Sequence, residues 1–274
     1  MKFFTFLLLI FCLNTAKSED GYRLWLRYDP VTDSRLLTSY LKQIKSIALI
    51  GNLPTLAVAE KELMTALKGL TGKQVQITPN QLPSTTLLIE TASEKIPETE
   101  MAKLGNEGFM IRTMVPKGGK YLLITANTDQ GVLYGVFHFL RMLQTHQSIE
   151  NLNISSVPRM KLRMLNHWDN LDRTVERGYA GFSIWNWHTL PAYIDQRYID
   201  YARANASLGI NGTVLTNVNA NATVLTAPYL QKVKALADVY RPYGIKVYLT
   251  ARFSAPVESG QLKTADPLDP QVKE

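Results

Sequence analysis

The chain has 274 residues, a formal net charge of +7, 46% hydrophobic residues and 19% charged residues. That apolar fraction excludes a disordered chain, and the length fits one large domain or two ordinary ones. The lysines and arginines are scattered, without a basic stripe or recognition motif, so nucleic acid is not expected as a partner.

The predicted elements begin with a processing segment. Residues 1–17 carry Lys2, an apolar stretch from Phe3 to Leu13 and then small and polar residues. This is the layout of a cleaved secretory signal, and the stretch is short for a membrane span. A secreted or periplasmic bacterial protein is expected, with no membrane partner after cleavage. Cys12 is the one cysteine and lies inside that signal, so the mature chain offers no disulfide, thiolate or cysteine metal site. Phe11 stands where a lipoprotein signal wants a small residue.

Gly21 to Val31 (GYRLWLRYDPV) alternates apolar and polar residues and predicts a strand. Leu36 to Ile47 predicts a helix, Ser46 to Asn52 a short strand, and Ala57 to Gly69 a helix with apolar residues at helical spacing. Thr86 to Ala92 predicts a buried strand. Phe109 to Val115 and Lys120 to Ala126 predict a hairpin, followed by a helix to Gln144 capped by Asn127 or Thr128. Residues 20–150 are therefore expected to form a small α/β accessory domain, and Asn151 to Arg159 a polar linker.

From residue 158 the rhythm becomes strand, helix, strand, helix, strand. The strands are Lys161 to His167, Gly212 to Val218 and Ile245 to Ala251; the helices are Tyr198 to Leu208 and Pro228 to Tyr240. Such alternation implies parallel pairing through right-handed crossovers. The fold class expected is α/β, with residues 158–274 as the first strands of a (β/α)8 TIM barrel. A barrel cut after its third strand leaves unpaired edges, and the polar run 251–274 carries no expected helix, so a truncated chain is expected.

In such a barrel the strand C-termini face the active site. They carry Asn166, His167, Trp168, Asp169 and Asn170, then Asn217, Val218 and Asn219, then Arg252, Phe253 and Ser254. An indole stacks on the apolar face of a sugar while amides and charged groups take its hydroxyls, so a wet aromatic cleft points to carbohydrate. The competing reading of Trp168 is a core tryptophan. Trp185 and Trp187 read as structural, as does His138 between two phenylalanines. Asp169 and Asp172 could be paired as glycosidase acid and base. They read instead as turn and cap residues. No metal-ligand spacing involves His167 or His188, and no phosphate loop, nucleotide fingerprint or nucleophile elbow is present. No cofactor is expected.

The segment from Leu165 to Gly181, LNHWDNLDRTVERGYAG, resembles the signature of family 67 glycoside hydrolases, the α-glucuronidases. Ile210 to Ala220, Lys263 to Pro270 and Glu19 to Val31 extend the likeness through nearly the whole mature chain. Two departures are Arg173, where the family pattern has a small residue, and Phe182, where it has a basic one. The resemblance implies an accessory domain before a catalytic barrel. It implies hydrolysis, with inversion and without metal, of the α-1,2 bond joining (4-O-methyl-)glucuronic acid to a xylooligosaccharide. That oligosaccharide is the implied partner. Trp168 would stack near the uronic acid and Val218 would limit the pocket. The substrate-facing set is Trp168, Asp169, His167, Asn166, Val218, Asn217 and Arg252, with the acid, the base and the uronate-binding cations beyond Glu274. The alternatives are another accessory-plus-barrel glycosidase of hexosaminidase type, or a non-catalytic glycan-binding fragment. Oligomeric state is not legible, and a homodimer is compatible with the sequence.

Overall fold

A computed structural model describes residues 20–78 and 86–273. The signal segment 1–17, with Cys12, lies outside the described residues. Helix α1 (Ser34–Gln43) starts where the Asp33 carboxylate accepts hydrogen bonds from the Arg35 and Leu36 amides. After β1 (Ser46–Ile50), helix α2 (Pro54–Thr71) opens with a proline in its first turn and ends at Gly72, whose φ of 69° is the left-handed C-terminal cap. Strands β2 (Gln76–Ile77) and β3 (Thr86–Thr91), the short helix α3 (Glu98–Met101), and the hairpin β4 (Phe109–Met114) and β5 (Tyr121–Ala126) follow. Helix α4 (Asp129–Gln144) is capped by the Thr128 hydroxyl, which accepts from the Gly131 amide. Strand β6 (Asn153–Ser156) closes the edge.

Among the described residues these strands form a six-stranded sheet in the order β2-β1-β3-β5-β4-β6. It is parallel through β2, β1, β3 and β5, and antiparallel where β4 joins β5 and β6. Alternate residues serve opposite faces, as strand geometry requires. Ile47, Leu87, Ile89, Leu122 and Ile124 pack beneath α2 and α4, while Ala48, Leu88 and Leu123 pack against Ile96, Met101 and Leu104.

Helix α4 lies close on the sheet because Gly131 and Gly135, one turn apart, have no side chain. A Cβ on Gly131 would lie 2.6 Å from the Gly108 carbonyl oxygen and 2.7 Å from Ala126 Cβ. Gly131→Ala is expected to lower the melting temperature. Overpacking of about 1–3 kcal/mol outweighs the ~1 kcal/mol that alanine gains in helix propensity. An unchanged or raised melting temperature would mean that the helix lifts freely.

A second sheet contains β7 (Met164–Asn166), β8 (Gly212–Val214) and β9 (Lys246–Tyr248), all parallel and in that order. Helices α5 (Gln196–Ser207) and α6 (Ala227–Tyr240) connect them, and the short helices α7 (Ala255–Glu258) and α8 (Pro270–Lys273) follow. The protein is therefore of mixed α/β class. Trp185 and Trp187, both fully buried, form a core with Tyr198, Leu215, Leu236 and Tyr240 between α5, α6 and the sheet. The two sheet units touch extensively. Ala206 of α5 enters the first core, Glu107 bonds Arg163 (2.8 Å) and Asn211 (2.9 Å), and Glu62 of α2 pairs with Arg203 of α5. Among the described residues, no helix is long and apolar enough to cross a membrane.

Several sequence expectations are corrected. Gly21 to Val31 is a run of turns rather than a strand: Leu24 and Tyr28 have φ of 50° and 55°, and the Leu24 amide donates to the Gly21 carbonyl. The polar stretch 151–159 contains β6, paired with β4, instead of a free linker. The helix expected over Leu36 to Ile47 ends at Gln43, and the polar run after β9 does carry helices, α7 and α8. Strands β7, β8 and β9 are shorter than their sequence patterns, because the chain turns into loops just where the candidate site residues lie.

Candidate functional site

Parallel pairing brings the C-terminal ends of β7, β8 and β9 to one edge, with Asn166, Val214 and Tyr248 in register. The loops beyond are knitted together. The His167 amide donates to the Val214 carbonyl (3.1 Å), the Asn217 amide to the Asp169 carbonyl (2.8 Å) and the Arg252 amide to the Ala220 carbonyl (3.1 Å). The Thr250 hydroxyl donates to the Asn217 carbonyl at 2.7 Å. Six residues of the sequence-derived set thus lie on one connected group of loops and the seventh, Asn166, ends β7, but their side chains do different things.

Trp168 is 43% exposed, in contrast to the buried Trp185 and Trp187, so it is not a core residue. Its carbonyl oxygen accepts from the Glu176 amide at 2.8 Å. Asn166 is exposed and Val218 is 40% exposed. Arg252 is half-buried; its Nη1 lies 3.4 Å from Glu258 Oε1, and its Nε is buried without a partner among the described residues. The remaining three turn inward. Asn217 is buried, its Oδ1 accepting from the Asn219 amide at 2.9 Å. His167 packs edge-on against Trp185 and its Nε2 meets the Tyr201 hydroxyl at 2.7 Å. Asp169 is 3% exposed and its Oδ2 accepts from the Ser183 hydroxyl at 2.5 Å. Asp169 is therefore no simple turn residue: it is a buried acceptor.

Burial holds the His167 imidazole below its usual range, and the nearby Asp169 carboxylate works against that shift. Burial also pushes the Tyr201 phenol up to about 12. That hydroxyl lies 3.0 Å from Thr213 Oγ1, which ties α5 to β8.

The segment after Trp168 folds back as a flap, with antiparallel bridges between Asp169 and Val175 and between Thr174 and Phe182. Asp172 is the turn residue expected: its Oδ1 accepts from the Thr174 hydroxyl (2.7 Å) and amide (2.9 Å), which hold its carboxyl below the usual range. Arg173 has φ of 76°, the region that favours glycine, and this gives a physical reason for a small residue at that position. Phe182 is 82% exposed on the flap. Ser183 and Tyr201 were not legible as site residues. Tyr201 sits on a helix 34 positions after His167 and only the fold joins them. Among the described residues no three His, Cys, Asp or Glu side chains gather as a metal cluster.

Comparison with known proteins gives two adjoining matches. Residues 24–139 match the glycosyl hydrolase family 67 N-terminus, and residues 142–274 match the glycosyl hydrolase family 67 middle domain. The chain belongs to glycosyl hydrolase family 67. Among curated relatives, probable alpha-glucuronidase A of Aspergillus oryzae is 33% identical over 272 residues, covering 96% of this chain and 32% of the relative. Probable alpha-glucuronidase A of Aspergillus terreus is 36% identical over 262 residues, covering 93% and 30%. Alpha-glucuronidase A of Emericella nidulans is 34% identical over 285 residues, covering 98% and 33%. This family 67 chain spans about a third of the length of these relatives. A solved GH138 enzyme targeting pectin rhamnogalacturonan II shares the fold, with a TM-score of 0.50 and 16% identity over 74% of this chain and 24% of that one.

Proposed function

We propose that the whole protein is an exported α-glucuronidase. It hydrolyses the α-1,2 bond between (4-O-methyl-)glucuronic acid and a xylooligosaccharide during xylan breakdown. The observation that carries this reading is Trp168: a tryptophan left 43% exposed at the edge where three parallel strands end, in a chain whose relatives are named alpha-glucuronidases. A large aromatic surface on a braced loop suits a sugar face, which is apolar over its C–H bonds and polar around its rim.

In this reading β7, β8 and β9 are the first strands of a (β/α)8 barrel that follows an accessory unit. Trp168 stacks on the uronic acid, Val218 limits the space beside it, and Asn166 and Arg252 offer polar groups at the rim. Asn217, His167 and Asp169 hold these groups from beneath. The general acid and base come from the part of the relatives that this chain does not span. Inversion requires those two carboxyls to stand about 6.5–9.5 Å apart, leaving room for water. The uronate carboxylate requires arginine or lysine to replace its hydration. Export follows from the layout of residues 1–17.

Incubating the full-length protein with aldouronic acids tests the proposal. Release of 4-O-methyl-glucuronic acid is expected, with the β-anomer appearing first by proton NMR, because inversion at an α-bond gives β-product. No release from folded protein, or release of hexosamine from a hexosaminide panel, would overturn it.

A further inference from the structure

We propose that His167 and Asp169, with Tyr201 and Ser183, form a positioning device that sets the indole of Trp168; the inference rests on the reading of Trp168 as a sugar-stacking residue.

Side chains alternate along an extended segment. Residues 167 and 169 share one side, and residue 168 takes the other. Both neighbours are pinned inward. His167 is held by Tyr201 at 2.7 Å and by ring contact with Trp185 at 5.3 Å. Asp169, 3% exposed, is held by Ser183 at 2.5 Å. The two pins reach each other, with His167 Nδ1 3.8 Å from Asp169 Oδ1. Trp168 is thereby directed outward, and its ring has no hydrogen bond of its own among the described residues. Its place depends on its backbone, which is held by these pins, by Glu176 through its carbonyl and by Asn217 across the Asp169 carbonyl.

The protons fit this arrangement. The Tyr201 phenol keeps its proton through the working range, since burial pushes it up to about 12. Its oxygen lies within hydrogen-bond distance of both His167 Nε2 and Thr213 Oγ1, and His167 Nδ1 is the nitrogen that faces Asp169. Ser183 in turn ends the flap that begins at Trp168: its hydroxyl donates to Asp169 and its amide donates to the Arg173 carbonyl at 2.8 Å. One buried carboxylate thus joins the start of the flap to its end. None of these groups needs to touch substrate. They are positioning residues, acting through Trp168.

A double-mutant cycle in the full-length enzyme tests this. Asp169→Asn is expected to lower kcat/KM by about tenfold, the scale set by a sub-ångström shift of a binding surface, with most of the change in KM. In a Trp168→Ala background the same substitution is expected to lower kcat/KM by less than about twofold, because its route of action is gone. Ser183→Ala and Tyr201→Phe each remove one hydroxyl and should show the same dependence on background, while Ser183→Thr keeps the hydroxyl and should restore activity. If Asp169→Asn does not fold, these milder variants carry the test. Equal effects in both backgrounds, or no effect in the wild-type background, would overturn the proposal. A wild type that releases no uronic acid would instead overturn the functional reading. In that case the Trp168 part of the emission, taken as the difference between each protein and its Trp168→Phe counterpart, decides the positioning claim: it should shift in Ser183→Ala, and an unshifted difference would refute the device.

Discussion

Replacing Trp168 with alanine in the full-length enzyme is expected to lower kcat/KM at least thirtyfold without lowering the melting temperature. The two halves of this expectation have separate causes. A tryptophan at the centre of a recognition surface is worth about 2 kcal/mol or more when truncated, which is roughly a thirtyfold change. The ring is already 43% exposed, so the fold loses little with it; surface substitutions of this kind stay within ~0.5 kcal/mol. Trp168→Phe keeps a smaller flat face and should fall between the two. Steady-state kinetics on aldouronic acids with a parallel thermal melt decides the matter. Unchanged kcat/KM would remove Trp168 from the site, and a large fall in melting temperature would make it a structural residue.

The second large effect lies far from the strand ends. Glu62 of α2 is 6% exposed, and both of its oxygens accept from the Arg203 guanidinium of α5 at 2.7 Å. The Tyr28 hydroxyl also donates to Glu62, and the guanidinium carbon lies 5.7 Å from the Tyr28 ring centre. Burial, then the Glu62 charge, pushes the Tyr28 phenol upward, so its proton remains available for that bond. The triad joins the unit of the six-stranded sheet to the helix that also carries Tyr201. Glu62→Ala leaves a guanidinium and a phenol without their acceptor. Rupture of a buried pair by removing one partner costs about 3–5 kcal/mol. The Arg203 side chain is 26% exposed, which places the loss near the lower end. A fall in melting temperature of about 6–12 °C is expected, at roughly 2–4 °C per kcal/mol for a unit of this size. Glu62→Gln keeps an acceptor for Tyr28 and should lose less. A loss below ~1 kcal/mol would mean that the pair behaves as a surface contact.

How much of this was legible in the sequence depends on the kind of signal each element carries. Helices α2, α5 and α6 and strands β1, β3, β4 and β5 have apolar residues at the spacing of a buried face, and they lie where expected. Strand β6 was not legible because it is a polar edge strand: only its pairing with β4 makes it a strand, and Asn153-Ile154-Ser155-Ser156 has no hydrophobic alternation. The segment from Gly21 to Val31 misled in the opposite way. Its period-two pattern is real as letters, but Tyr22 and Leu24 are exposed while Leu26 and Tyr28 are buried, and positive φ angles at Leu24 and Tyr28 replace the strand by turns. At the candidate site Trp168, Trp185 and Trp187 divide as expected between an open ring and two buried ones. Which way His167 and Asp169 face was not legible, because it depends on partners at positions 183 and 201 that only the tertiary fold supplies.

A sugar seated on the Trp168 ring must shield it from solvent, and fluorescence quenching reads that shielding. Iodide quenching of the full-length protein should be compared with that of Trp168→Phe, with and without 4-O-methyl-glucuronic acid. The ligand is expected to protect a component of the emission that is absent from the variant. Equal protection of wild type and variant, with binding shown independently by calorimetry, would place the sugar elsewhere and contradict the account.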